Sequence, residues 1–413
     1  MNFKRFMERK TAYLFILPAL ILIFLFSLLP IGASLRYAFF DLQLNDQARS
    51  DLYTEGSYNL RLHKETVDYI RYYLNIDESL VQTEEAHQAI AGLRQQVDAF
   101  DQYVEDHVAR GLEPVVPINE EKQAEIVRHK DELLAGLEQF YTIEDEFYSP
   151  EDMMAVAGEF NTSLIESNYT GLKNFERVMT DRRVRSTLTF TLIFTFISVF
   201  FELILGLALA LIMNKAMRAR GIIRTVSLIP WAIPTSVAAM MWSYLYDGSS
   251  GIVAHLFANA GIISKSTDLL LQSGKALMAI IIADVWKTTP YMALLLLAGL
   301  QTIPNSLYES SSLEGANRWH QFRYITLPLL KSSIFVALLF RTLDAFRVFD
   351  LIYVLTGGGP GGTTESISIY AYKVMFAQTR FGYGAAIVLI MALAVGLITW
   401  LYVKSLNVKL IED

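Results

Sequence analysis

The chain has 413 residues, 53% of them hydrophobic, and a mean hydropathy of +0.32, too apolar for an ordinary soluble globular protein. Cysteine is absent, which excludes a disulfide framework and any thiolate metal site, and the six histidines are scattered without ligand spacing. The net charge of −7 conceals an uneven distribution: residues 41–170 carry 28 acidic and 9 basic side chains, a net of −19, whereas the remainder is net +12.

Lys4, Arg5, Arg9 and Lys10 precede an apolar run from Ala12 to Leu35. The run is long enough to cross a hydrocarbon layer of ~30 Å and longer than the core of a cleaved signal peptide. Residues 1–40 therefore read as a cytoplasmic N-terminus and a retained first span. Residues 41–170 form a polar insertion. Helical spacing and good helix formers predict helices over Thr83–Val108 and Asn119–Phe140, parted by the breaker Gly111–Pro117. Leu93, Val97, Phe100 and Val104 mark one apolar stripe; Ile126, Leu133, Leu137 and Phe140 mark another. The acidity of this mainly helical insertion fits a solvated face or a dock for a basic partner surface, and no loop has the acidic spacing of a calcium site.

From Gly171 to the end, residues 171–413, the pattern is that of a membrane protein. An amphipathic segment with Leu172, Phe175 and Val178 on one side leads into apolar stretches at Leu188–Met213, Ile222–Tyr246, Ala276–Leu300, Ser333–Leu355 and Ala385–Tyr402. With the first span these make six, so the expected fold is an all-α integral membrane protein carrying a mainly helical extracytoplasmic insertion. Lys215, Arg218, Arg220 and Arg224, then Arg318, Arg323 and Lys331, then Lys404 and Lys409 all fall on the side of the N-terminus. The bias of Lys and Arg toward the cytoplasm then places both termini inside and residues 41–185 outside.

Charges inside spans are costly, roughly 2.5–3.5 kcal/mol at mid-bilayer on insertion scales, and usually face a partner or a water-filled cavity. Glu202, Asp284, Lys287, Arg341, Asp344, Arg347 and Asp350 stand out on this ground. The last four alternate in sign at i, i+3 spacing, so they either neutralise one another along a helix or face a path. Pro230, Pro234 and Pro290 are expected to break helices where a cavity needs irregular backbone. Gly357–Gly362 matches a dinucleotide-binding pattern in form only, since no buried strand precedes it, and Ser273-Gly274-Lys275 lacks the rest of a phosphate-binding loop.

The polar loop Gln301–Lys331 carries helix signals of its own. Ser306 and Glu309 have capping-box spacing, a short helix is expected from Leu307 to Glu314, and Gly315 stands where a left-handed residue would end it. Trp319, Phe322 and Ile325 follow as a second amphipathic turn, and Leu327-Pro328 opens the next element. Such a short helix at a membrane surface suits docking in another protein's groove.

Glu309-Ser310-Ser311, then Gly315, then Ile325-x-Leu327-Pro328 resembles the EAA signature of ABC importer permeases, with serines where the signature has two alanines. The flanks, Trp286–Pro304 and Leu338–Pro360, resemble the maltose-type sugar permeases, and the likeness runs from about Gly171 to Lys404. It implies that Glu309, Ser310, Ser311, Glu314, Gly315, Ala316, Ile325, Leu327 and Pro328 couple to a separate ATPase subunit. It also implies sugar contacts at Trp231, Thr235, Asp284, Thr288, Arg341, Asp344 and Val348. Several of these are charged here where maltose permeases are not, which points away from maltose itself and keeps a polar, hydroxyl-rich ligand. The implied partners are a second homologous permease, an ATPase dimer, an extracytoplasmic sugar-binding protein, a carbohydrate and the lipid of a bacterial inner membrane, with no nucleic acid. No catalytic residue, cofactor or metal is implied in this chain. The leading substrate is a disaccharide or short oligosaccharide. A glycerol-phosphate or polyol is the alternative if Arg341 faces the path, and an ATP-independent secondary transporter or a membrane-anchored receptor are distant ones.

Overall fold

The computed structural model describes residues 15–109, 111, 113–144, 146–215 and 220–406. Lys4, Arg5, Arg9, Lys10, the start of the Ala12–Leu35 run, Arg218 and Lys409 lie outside the described residues. The chain divides into two compact units, Met1–Asn174 with Thr379–Gly382, and Phe175–Gln378 with Tyr383–Asp413.

The first unit begins with α1 (Phe15–Tyr37), 23 residues whose most apolar stretch has no buried residue, as a helix facing lipid requires. Beyond it stand β1 (Ser57–Asn59), α2 (Leu60–Leu80), α3 (Glu84–Tyr103), β2 (Val115–Pro117), α4 (Glu120–Phe140), α5 (Pro150–Ser163) and β3 (Leu164–Ile165). Three of these helices start at a side-chain cap. Asn59, Thr83 and Asn119 accept from the N–H groups of Leu62 (3.1 Å), Ala86 (3.2 Å) and Lys122 (3.1 Å). Glu84, Glu85, Glu120 and Glu121 occupy the first turns of α3 and α4, where the helix dipole favours acids. Both apolar stripes read from the sequence are buried in one core together with Val67, Ile70, Leu74 and Phe160.

Two helices and a sheet go beyond the sequence reading. The core face of α2 includes His63, Thr66 and Asp77, which interrupt its apolar period. The sheet is antiparallel in the order β2-β1-β3, pairing Tyr58 with Val116 and Leu164, and its strands are too short to show a period of two. The Gly111–Pro117 breaker thus ends as an edge strand, the place where proline is tolerated.

In the second unit a short helix, Lys173–Thr180, which starts within the first, precedes α6 (Arg182–Asn214). Asp181 caps α6 through the N–H of Arg183 at 2.7 Å and receives the hydroxyls of Tyr370 (2.8 Å) and Tyr383 (2.5 Å). Val178 is buried as expected of the amphipathic segment, whereas Leu172 is exposed. Then follow α7 (Gly221–Ala232), α8 (Thr235–Leu245), α9 (Ser273–Gln301), α10 (Asn305–Leu313), α11 (Arg318–Phe346), α12 (Asp350–Thr356), α13 (Ile367–Ala377) and α14 (Phe381–Ser405). Among the described residues, helices α1, α6, α9, α11 and α14 are long and apolar enough to cross a membrane, and the pair α7–α8, bent by 88°, passes the same test jointly. Counted as one broken span, that pair brings the total to the six expected. Helices α6 and α9 pack closely where Gly206 meets Met292; a Cβ on Gly206 would lie 2.7 Å from Met292 Cγ.

Three expectations are corrected. The fifth span ends at Phe346 rather than Leu355, because the chain tightens there: the N–H groups of Arg347 and Val348 bond three residues back to Asp344 (3.2 Å) and Ala345 (3.1 Å), and Ser366 Oγ donates to the freed Val348 carbonyl at 2.8 Å. The charge ladder is broken in consequence, and only Arg341 and Asp344 pair within it. Of the three prolines, only Pro234 stands at a break; Pro230 and Pro290 lie inside α7 and α9. The glycine-rich stretch is a turn after α12, with Gly357 as its left-handed C-terminal residue (φ 59°).

Candidate functional site

The break at Ile233-Pro234 and the early end of α11 border one space. A cavity of about 520 Å³, within the range of small-molecule sites, is lined by Trp231 and Thr235, by Asp284, Lys287 and Thr288 of α9, and by Arg341, Asp344, Arg347, Val348 and Asp350. All seven positions singled out by resemblance, Trp231, Thr235, Asp284, Thr288, Arg341, Asp344 and Val348, border it.

Arg341 lies deepest, 1% exposed. Its guanidinium is closed on three carboxylates from three helices. Nε and Nη2 hold Glu202 of α6 at 2.5 and 2.9 Å as a fork, Nη2 also reaches Asp284 at 2.5 Å, and Nη1 reaches Asp344 at 3.1 Å. The Thr288 hydroxyl lies 2.7 Å from Glu202 Oε1 and 2.6 Å from the Asp284 carbonyl oxygen, so one proton serves both. Lys287 donates to the carbonyls of Ile233 (2.7 Å) and Trp231 (3.4 Å). The helix break orphans those carbonyls, and a cation from α9 satisfies them. At the rim, Trp231 stacks on Tyr291 (5.6 Å between centroids, 15° between planes) and stays 45% exposed, while the Asp344 side chain is 63% exposed. An aromatic face, a carboxylate and the Thr235 hydroxyl suit a ligand with an apolar ring face and many hydroxyls.

The polar loop has equally definite geometry. Helix α10 begins at Asn305 after Pro304 and has no side-chain cap, so the Ser306–Glu309 box does not form; Pro304 already fixes the entry, and Ser306 is one residue inside the helix. Gly315 has φ 83°, and the N–H groups of Gly315 and Ala316 bond back to Ser312 (3.1 Å) and Ser311 (2.9 Å), the closure a left-handed glycine provides. The Gln321 amide donates to the Tyr308 carbonyl (3.1 Å) and to the hydroxyl oxygens of Ser311 (3.1 Å) and Ser312 (2.8 Å), tying α10 to the start of α11. Tyr308 Oη lies 3.0 Å from Thr326 Oγ1. Leu327-Pro328 opens the regular α-helical part of α11 as expected, with proline in its first turn, after a wider turn at Phe322–Thr326. That turn also breaks the i, i+3, i+6 stripe, and Trp319 is left exposed against Phe322. Glu309, Ser310, Glu314, Gly315, Leu327 and Pro328 are exposed, and Ser311, Ala316 and Ile325 are half-buried.

Residues 202–406 match the family described as "Binding-protein-dependent transport system inner membrane component". Over 243 residues, 59% of this chain and 81% of the relative, the chain is 45% identical to the trehalose/maltose transport system permease protein MalF of Thermococcus litoralis. The chain belongs to this family. It is the permease component of a binding-protein-dependent ABC importer, an inner-membrane protein. A second relative, the trehalose transport system permease protein SugA of Mycobacterium tuberculosis, is 41% identical over 58% of this chain and 75% of its own length. In fold the permease is similar to a chain of a bacterial ABC transporter involved in the import of the acidic polysaccharide alginate (TM-score 0.53, 22% identity, 69% of this chain and 98% of that one).

Two residues of this permease were visible in the sequence as misplaced charges but not as site residues. Glu202 is the only acid in the 33 residues of α6, and Lys287 lies beside Asp284. Gln321 gave no signal at all, since a polar residue in a polar loop looks ordinary.

Proposed function

We propose that this permease forms half of the translocation path of an ATP-driven carbohydrate importer, with a second, similar permease completing it. The observation that carries the reading is the convergence of the seven residues on one cavity at the break of a span, joined to similarity with permeases named for trehalose and maltose. The substrate is a disaccharide or short oligosaccharide. Both termini are cytoplasmic and residues 41–185 lie outside, where the acidic insertion braces the sugar-binding protein and raises its effective concentration at the mouth.

The mechanism is alternating access. Helix α10 docks on an ATPase dimer through Glu309, Ser310, Ser311, Glu314 and the Gly315 bend. Ala316, Ile325, Leu327 and Pro328 carry its movement into α11, the helix that holds Arg341 and Asp344. ATP binding closes the ATPase, α10 moves with it, and the spans open outward to receive sugar. The test is co-expression with the ATPase and the second permease. The chain should co-purify with both, and Gly315→Asp should lose the ATPase or uncouple it. A chain that purifies alone and moves solute in liposomes without ATP would be a secondary transporter instead.

A further inference from the structure

The cavity is bordered by three cations, yet most donors of the two deepest are already taken by the protein. Arg341 has five N–H donors, and three carboxylates engage Nε, Nη1 and Nη2 while the residue is 1% exposed. Lys287, 7% exposed, is spent on the carbonyls of Ile233 and Trp231. The buried layer, Glu202 and Asp284 against Arg341 and Lys287, pairs two acidic with two basic side chains and so has a formal charge of zero. The accessible rim consists of Asp344, Arg347 and Asp350, one guanidinium between two carboxylates, and the Arg347 Nε–H is taken by the Leu343 carbonyl at 3.1 Å. The face offered to a ligand is therefore net negative.

We infer that Glu202 is a specificity-determining positioning residue: by clasping Arg341 from behind with Asp284, it leaves a cavity that accepts neutral polyhydroxylated sugars and rejects phosphorylated, sulfated or carboxylated ones. Glu202 need not touch the ligand. It is fully buried on a different helix from Arg341, and without its charge Arg341 gains net positive field at the cavity wall. Repulsion between a substrate anion and like charges is the stronger discriminator here, because mismatched charge in a site of low dielectric costs far more than a lost hydroxyl contact gains. The inference rests on the carbohydrate-import reading above, and it excludes the glycerol-phosphate alternative for the same site.

The test uses the assembled transporter, both permeases with the ATPase, without its binding protein, so that selection by that protein does not intervene. Labelled trehalose is bound and competed by unlabelled trehalose or by trehalose 6-phosphate. Wild type should prefer the neutral sugar by at least tenfold, about 1.4 kcal/mol. Glu202→Gln, which keeps the shape and one of the two accepting oxygens but removes the charge, should shrink that preference about tenfold. Glu202→Gln with Arg341→Gln, which restores the charge balance, should bring it back. A structural role alone would lower both affinities together at a constant ratio, and that result overturns the inference. So does a wild-type complex that binds the 6-phosphate as well as trehalose, a reading available even if the variants do not assemble. A wild-type complex that binds no neutral sugar here, and imports none once the binding protein is added, overturns the carbohydrate reading and this inference with it.

Discussion

The two units handle charge in opposite ways. In the first, ion pairs such as Arg94–Glu78 (2.6 Å) and Arg71–Asp98 (2.7 Å) lie on the surface, screened by solvent. Their acids set net charge and solubility more than fold. In the second, Glu202, Asp284 and Arg341 are buried with short, directional contacts between three spans. Desolvating such a group is affordable only when every partner is present, so removing one member leaves the rest stranded. A surface carboxylate on the insertion is thus replaceable, whereas one buried in the permease core fixes the geometry of a site.

The comparison is broken most severely by Arg341→Ala. It strands two buried carboxylates and should cost about 3–5 kcal/mol, seen as loss of folded, membrane-inserted protein or a sharp fall in the melting temperature of the purified complex. Gly315→Asp comes next. No atom lies within 4 Å of a Cβ there, so the penalty is the left-handed backbone, roughly 1–2 kcal/mol, confined to the loop. The complex should keep its melting temperature and lose sugar-stimulated ATP hydrolysis.

Gln321→Ala removes the amide bridge between α10 and α11. A net change of about 1 kcal/mol is expected, read as faster hydrogen exchange across Asn305–Leu313 with little change elsewhere. A pH scan sharpens the contrast further. Burial pushes the Glu365 carboxyl up, but hydrogen bonds from Arg183 (2.8 and 3.0 Å) and Lys373 (2.9 Å) outweigh it and hold the group below the ordinary glutamate value. A depressed carboxylate stabilises the fold above its unfolded pKa of about 4.3, and that contribution is lost as pH falls through the lower folded value. Glu365→Gln should flatten the acid limb of the stability curve measured on the whole protein. The smallest effect belongs to the insertion surface: Arg94→Ala should leave the melting temperature unchanged within error, and a large drop would erase the distinction between the units.

The sequence was most legible where one physical signal dominated. Apolar length announced the spans, and helical period with good helix formers announced α3 and α4. The need for positive φ at Gly315 was readable from a glycine after a short helix, and the observed φ is 83°. It was least legible where neighbours decide. The end of α11 depends on Ser366 taking the Val348 carbonyl, eighteen residues along the chain. The capping box at Ser306 loses to Pro304. The His63 side of α2 looks polar in sequence and is buried through Tyr58 Oη at 2.8 Å. For the cavity, resemblance named seven lining residues, while the charges themselves pointed to Glu202 and Lys287; only the structure joined the two sets.

The most direct measurement is uptake of labelled trehalose into proteoliposomes holding this permease, the second permease and the ATPase, with binding protein outside and ATP inside. The account predicts uptake that requires both ATP and binding protein, and that Gly315→Asp abolishes. Uptake that proceeds without ATP, or that survives Gly315→Asp unchanged, would contradict it.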